Sequence, residues 1–164
     1  MNSAHLIVRL LNLKNLKGDL FMIMDAELLF SDAQAITAAA ASTNYLDLGA
    51  ARNIGVGEEL FIVVTVDTAF TDSGSDSTLT VALEGDSTTT FTPDASQTLF
   101  TIPALAAAGS VYAAKINPDF AGNYRYLQLK YTPNNGNLTT GAVTASVVKN
   151  VQKYTSYAKG YTVA

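Results

Sequence analysis

Acidic side chains are the most numerous groups in this sequence that could do chemistry: its 164 residues include fourteen Asp and Glu, one His and no Cys. A glycoside hydrolase needs two carboxylates that face each other across roughly 5–9 Å. Glu58 and Glu59 are adjacent, so in a strand their side chains would point to opposite faces. We interpret the acidic residues as solvated surface groups, while the sequence leaves open a pair formed by Glu84 and a distant Asp.

The other catalytic and binding motifs are incomplete. Asp72 and Asp76, with serines between them, resemble a loose calcium loop, but the ligand order and final Glu of an EF-hand are missing. A Ser-His-Asp triad could use only His5, near the N-terminus. Gly55-Val56-Gly57 precedes a strand-like run instead of following one, which does not fit a dinucleotide fingerprint. The sequence therefore predicts a protein that is not an enzyme and that binds no cofactor or metal.

Charge and composition restrict the partners. Ten Lys and Arg against fourteen Asp and Glu give a net charge of −4, which argues against nucleic acid because phosphates attract a basic surface. No run of about 18 uncharged apolar residues occurs, so no membrane span is predicted. Since 48% of residues are hydrophobic and 15% charged, the chain can bury one full core.

Residues 1–23 differ from the rest of the chain in charge, because residues 1–21 hold three basic side chains and one acidic side chain. One interpretation is a basic N-terminal arm, since leucines recur there at helical spacing. The other interpretation is that these residues are an untranslated leader, included because the start codon was placed too early. Lys17-Gly18-Asp19 can be encoded by a bacterial ribosome-binding sequence, and Met22 or Met24 would then begin the native protein.

From Met24 onward, short runs of β-branched and aromatic residues alternate with turn residues, which is typical of β-strands. Eight strands are predicted, at Glu27–Phe30, Thr43–Leu48, Glu59–Asp67, Thr78–Glu84, Gln97–Ile102, Val111–Ile116, Tyr124–Thr132 and Ala142–Lys149. Residues 24–148 are therefore predicted to form an all-β domain, an antiparallel two-sheet sandwich of the jelly-roll-like kind.

The pattern within the strands predicts which side chains face the core. Glu59–Asp67 is apolar on both faces, so it should lie centrally. In the next strand, the residues predicted to face inward are Leu79, Val81 and Leu83, and those predicted to face outward are Thr78, Thr80, Ala82 and Glu84. In Tyr124–Thr132, the residues predicted to share one face are Leu127, Leu129 and Tyr131. Asn135-Gly136 favours a tight hairpin between the last two strands.

Tyrosines and lysines characterise the C-terminal tail, residues 149–164, which is basic whereas the body is acidic. The tyrosines are Tyr154, Tyr157 and Tyr161. The tail could pack along its own sandwich, or it could reach a neighbouring subunit, since tyrosines give large contact areas in interfaces. Both interpretations remain open.

Three stretches resemble a family of small tailed-phage capsid cement (decoration) proteins. They are MDAELLFS at 24–31, LDLGAARNIGVGE at 46–58 with LFIVV at 60–64, and YLQLKY at 126–131. The resemblance covers nearly all of residues 24–164 and consists of structural patterns without chemistry.

The resemblance implies a jelly-roll-like domain that binds the outside of a phage head and bridges neighbouring major capsid protein subunits. It also implies a homo-oligomer, a dimer or trimer, made in the bacterial cytoplasm and located on the virion exterior. Arg52 lies between two glycine-bearing turns, where it could hold Asp47 or Glu58 or remain a lone exposed arginine. The interface candidates are Arg52, Tyr154, Tyr157 and Tyr161.

Two other functions remain open. A carbohydrate-binding or adhesion β-sandwich module would present a flat row of exposed tyrosines on one sheet. A hydrolase would need two facing carboxylates in a deep pocket.

Overall fold

Nine strands form in the residues that the computed structural model describes, which are 25–54, 56–149 and 151. They are β1 Leu29–Ala35, β2 Ala40–Ala41, β3 Leu46–Asp47, β4 Phe61–Thr71, β5 Thr78–Asp86, β6 Ala95–Ile102, β7 Val111–Lys115, β8 Tyr126–Asn134 and β9 Thr140–Val148. A 3₁₀ turn at Ala26–Leu28 precedes β1, and a one-turn helix, α1, spans Pro118–Ala121. Within these residues, no helix is long and apolar enough to cross a membrane.

The strands form two antiparallel sheets. The first has the order β1-β9-β4-β7, and the second has the order β2-β8-β5-β6, with β3 also paired to β8. If β2 and β3 are counted as one interrupted strand, two interleaved sheets of four strands result, which is the jelly-roll arrangement. The predicted antiparallel sandwich is therefore confirmed.

The core lies between the sheets and is built from the inward faces of the central strands. Ile62, Val64 and Val66 of β4 are fully buried there. Val63 points to the opposite face of the same strand and is only 1% exposed. The prediction that this run lies centrally is confirmed, because β4 is flanked by β9 and β7.

Alternation along β5 is confirmed on one face and wrong at two positions on the other. Leu79, Val81 and Leu83 are completely buried. Ala82 and Glu84, predicted to face solvent, are only 9% and 8% exposed. Because β5 is a central strand, neighbours on both sides cover these positions. Ala82 lies opposite Lys130 and Thr98, and Glu84 lies opposite Gln128 and Ser96.

The predicted strand at Thr43–Leu48 is shorter than expected, since only Leu46–Asp47 pairs, and a separate pair forms at Ala40–Ala41. Ser42 and Asn44 explain the interruption. The Ser42 hydroxyl donates to the Asn44 carbonyl at 2.7 Å, and the Asn44 amide donates to the Phe30 carbonyl at 2.9 Å. Such local bonds compete with strand pairing.

Asn135 and Gly136 adopt the positive φ angles that the sequence predicts, 65° and 120°. The predicted hairpin is nevertheless wrong, because β8 and β9 lie in different sheets. The turn therefore carries the chain across the sandwich. Only β5 and β6 are both consecutive in sequence and paired to each other.

The connections between strands gather at two ends of the sandwich. We call one the proximal end; it comprises the turn before β1, loops 48–60, 87–94 and 116–125, and Lys149, which directly follows β9. We call the other the distal end; it comprises loops 36–39, 72–77, 103–110 and 135–139. The antiparallel pairing fixes this division, since each strand reverses the direction of its neighbour in the sheet.

Candidate interaction surface at the proximal end

A bidentate ion pair between Arg125 and Asp47 lies at the proximal end. Arg125, which directly precedes β8, donates from Nε and Nη2 to the two carboxylate oxygens of Asp47 at 2.7 and 2.8 Å. The Gly49 amide also donates to Asp47, at 2.7 Å. The Arg125 guanidinium, and then the Gly49 amide, lower the pKa of the Asp47 carboxyl to about 2. Asp47 thus fixes the start of loop 48–60 against β8.

Aromatic rings extend this ion pair. The Arg125 guanidinium carbon lies 4.9 Å from the centre of the Tyr126 ring, a distance that allows a cation–π contact. The Tyr45 ring packs edge-on against the Tyr126 ring, with 5.7 Å between ring centres. It also packs in a tilted arrangement against the Phe91 ring, with 5.8 Å between ring centres. We call Tyr45, Phe91, Tyr126 and Arg125 the aromatic cluster. Tyr126 is buried, whereas Tyr45 is 46% exposed and Arg125 is also exposed, so Tyr45 and Arg125 are available to a partner.

An open groove of about 660 Å³ lies beside the aromatic cluster, between Ala26–Leu29 and Thr43–Leu48. Its exposed apolar side chains are Leu28 and Tyr45. Its charged side chains are Glu27 and Asp47, and Asp47 is already bound by Arg125. This lining suits contact with another surface better than acid–base chemistry, which needs converging titratable groups.

Arg52 lies in loop 48–60 and is exposed. The predicted ion pair of Arg52 with Asp47 or Glu58 is wrong. Asp47 binds Arg125 and Glu58 binds Lys149, and in the part of the chain that the structure describes Arg52 has no ion pair. The lone exposed arginine is the interpretation that the structure supports.

The comparison with protein families matches residues 30–147 of this chain to the Bbp16 model. These residues run from the second residue of β1 to the eighth residue of β9. The chain belongs to the Bbp16 family. No curated protein matches it. The Bbp16 region thus contains the aromatic cluster and Arg52.

Tyr154, Tyr157 and Tyr161 fall outside both the Bbp16 match and the described residues, as does His5. Their predicted roles stay predictions. Strand β9 ends at Val148, opposite Phe61 at the start of β4. The C-terminal tail therefore begins at the same end of the Bbp16 sandwich as the loop that carries Arg52.

Two acidic residues of strand β5 have hydrogen-bond partners within the Bbp16 sandwich. Glu84 accepts a hydrogen bond from Gln128 Nε2 at 2.8 Å. Asp86, on the same face of β5, accepts from the amides of Thr88 and Thr92 at 2.6 and 2.9 Å. The amide of Thr88 is the largest cause that lowers the pKa of Asp86. The Asp86 carboxylate therefore orders the 87–94 loop.

The loop that resembles a calcium site is closed by its own bonds. Asp72 Oδ2 accepts from the amides of Gly74 and Asp76, at 3.0 and 3.4 Å. Across residues 25–54, 56–149 and 151, no group of three or more His, Cys, Asp or Glu is placed to hold a metal ion.

Sequence reasoning missed the aromatic cluster. Tyr45, Phe91 and Tyr126 are more than thirty residues apart from one another in the chain, so no local spacing relates them. Arg125-Tyr126 is an adjacent pair that could have suggested a cation–π contact, but nothing in the sequence indicates Asp47 as the partner of Arg125.

Proposed function

We propose that this Bbp16-family chain is a capsid decoration (cement) protein that binds the outer surface of a phage head. There it would bridge and stabilise major capsid protein subunits. The match to the Bbp16 family across nearly the whole sandwich carries the proposal, since the family name suggests a phage-related protein. The resemblance of residues 24–31, 46–64 and 126–131 to cement proteins supports it.

The geometry supports a role through surfaces. The carboxylates of β5 are bound within the sandwich, and the large exposed apolar side chains of the described residues lie in its terminal turns and loops. These side chains are Leu28, Tyr45, Val56 and Leu105. A rigid sandwich with apolar residues in its loops is suited to contact another protein without acting on it chemically.

The proposed mechanism is linked binding. A protein that binds the assembled shell better than free subunits stabilises the shell by mass action. A dimer or trimer of this chain would contact several capsid subunits and gain affinity by avidity. The chain would then be made in the bacterial cytoplasm and act on the virion exterior.

The carbohydrate-binding alternative calls for a flat row of exposed tyrosines. Five tyrosines lie in the described residues, and only Tyr45 among them is exposed. The other four are buried or half-buried: Tyr112, Tyr124, Tyr126 and Tyr131. The structure of these residues gives no support to the alternative.

The test is co-sedimentation of the purified chain with expanded, empty heads from the encoding phage after deletion of this gene. We expect saturable binding and an increased thermal stability of the heads. Free major capsid protein is the comparison, and it should bind much more weakly. If the heads bind no more protein than the free subunits do, the proposed function is wrong.

The interface candidates are tested in the same assay. Arg52→Ala and the triple change of Tyr154, Tyr157 and Tyr161 to Ser should weaken binding if these side chains touch the shell. Lys130→Ala, on the outer face of β8, is a control for loss of a positive charge.

A further inference from the structure

The distal end contains an exposed leucine in an unfavourable backbone conformation. Leu105 has φ 56°, in the left-handed region that suits Gly and Asn and disfavours other L-residues. Its side chain is 53% exposed. The fold needs a left-handed residue at this position of loop 103–110, but it does not need a leucine side chain there.

The backbone that follows Leu105 is held against strand β4. The Phe70 amide donates to the Ala106 carbonyl at 3.0 Å, and the Gly109 amide donates to the Val66 carbonyl at 2.7 Å. Ala106 itself is buried. Strand β4 therefore holds the loop directly after Leu105, which fixes the backbone position from which the leucine projects.

The surroundings of Leu105 carry little charge. Loops 36–39, 103–110 and 135–139 contain no Asp, Glu, Lys or Arg, and loop 72–77 contains Asp72 and Asp76. Desolvation of charged groups is the main free-energy cost of burying a surface in an interface. Because this surface has few charged groups, that cost would be small here. The proximal end differs, since it carries Glu27, the Arg125–Asp47 pair and exposed ion pairs of Lys115 and Lys149.

We propose that Leu105 is an apolar anchor with which the distal end binds a pocket between subunits of the protein shell. The partner pocket is apolar and uncharged, because the anchor and its flanking alanines offer neither charge nor side-chain hydrogen bonds. Local strain at an exposed position is typical of binding sites, and a backbone held in place before binding loses little freedom in the complex. This inference rests on the proposed function and assigns one contact with the shell to the distal end of the sandwich.

The test compares variants whose stability and binding should change differently. Leu105→Asn removes the apolar side chain and suits a positive φ, so the melting temperature should stay or rise by up to about 4 °C. Its affinity for the empty expanded heads should fall roughly tenfold or more, as expected for an anchor in an interface. Leu105→Ala keeps the strained backbone without the side chain and should lose affinity at unchanged stability. Leu105→Met should bind within about threefold of wild type, because volume-conserving apolar changes are tolerated.

Thr98→Asn is the control, since Thr98 is exposed in the middle of strand β6, away from the loops of both ends. It should bind the heads like wild type. If Leu105→Asn and Leu105→Ala also bind like wild type, the anchor is wrong and the decoration function stands. The anchor is equally wrong if Thr98→Asn loses as much affinity as they do. If wild-type protein itself fails to bind, the decoration function fails, and the anchor fails with it.

Discussion

The hydroxyl groups of Tyr131 and Ser31 lie 2.7 Å apart in the core and join the two sheets of the sandwich. Ser31 belongs to β1 and Tyr131 to β8, and both side chains are fully buried. Ser31 also donates to Gln34 Oε1 at 2.8 Å. Since a serine has one hydroxyl hydrogen, Tyr131 is the donor to Ser31.

Tyr131→Phe should lower the free energy of unfolding by about 1 kcal/mol, because the buried Ser31 oxygen loses its donor. Urea unfolding measures this. Tyr112→Phe is the control, since Tyr112 is half-buried and no hydrogen bond of its hydroxyl is seen in the described residues; its stability should stay within about 0.5 kcal/mol. Equal effects of the two changes would contradict the role of the intersheet bond.

Alkaline pH should destabilise the sandwich through Tyr131. Burial raises the pKa of its hydroxyl well above the ordinary value, so the folded state keeps a proton that the unfolded state releases above about pH 10. The protonated Tyr131 hydroxyl therefore contributes fully to the free energy of unfolding below about pH 10, and this contribution is lost as the pH rises further. Urea midpoints between pH 8 and about 11.5 should therefore fall more steeply for wild type than for Tyr131→Phe. Parallel profiles would contradict this assignment.

Gly85→Ala should destabilise the protein, because a Cβ at Gly85 would lie 2.2 Å from the Tyr124 ring. The ring is held against Phe120, 5.4 Å between centres. Overpacking of this kind costs about 1–3 kcal/mol. Gly57→Ala is the control, since a Cβ there meets nothing within 4 Å. If thermal unfolding shows the same midpoint for both variants, the close packing of Tyr124 on β5 is wrong.

Acid should weaken the Arg125–Asp47 pair. The pKa of Asp47 is lowered to about 2 in the folded state, so its contribution to stability is present above about pH 4, the unfolded value. The contribution is lost as pH falls through about 2. The melting temperature of Asp47→Asn should decline less than that of wild type between pH 5 and about pH 2. Arg125→Gln should reduce the pH dependence of the melting temperature in the same way. If both variants show the same pH dependence as wild type, the pair does not contribute to acid sensitivity.

Arg52→Ala should leave the melting temperature unchanged, because Arg52 is exposed and Asp47 is held by Arg125 instead. Arg125→Ala, the corresponding change at the paired arginine, should lower it. A stability loss for Arg52→Ala as large as that for Arg125→Ala would show that Arg52 also supports loop 48–60.

Much of this fold could be predicted from the sequence, because a strand with one buried face alternates between apolar and polar residues. Leu79, Val81 and Leu83 illustrate this. The partners of each strand could not be predicted, since Asn135-Gly136 has the same turn chemistry in a hairpin as in a crossing between sheets. Burial of Glu84 on the outer face depends on Gln128, which the chain brings there from 44 residues away.

The candidate surface was less predictable than the fold. Arg52 was identified as an interface candidate from its position between glycines, but the residues that order the proximal end are Arg125 and Asp47. Their contact joins residues 78 positions apart, and it exists only once β3 and β8 have paired. An interaction surface assembled from separate strands leaves no periodic signal in the sequence.

The pairing of β1 with β9 has a consequence for synthesis of the protein. In the described residues, β9 is the only strand that β1 pairs with, and β9 also separates β1 from β4. The first sheet is therefore incomplete until residues 140–148 have been translated, and contacts so distant in sequence form slowly. A nascent chain cannot close its sandwich before β9 has been translated, so products truncated ahead of Thr140 should be cleared by proteases.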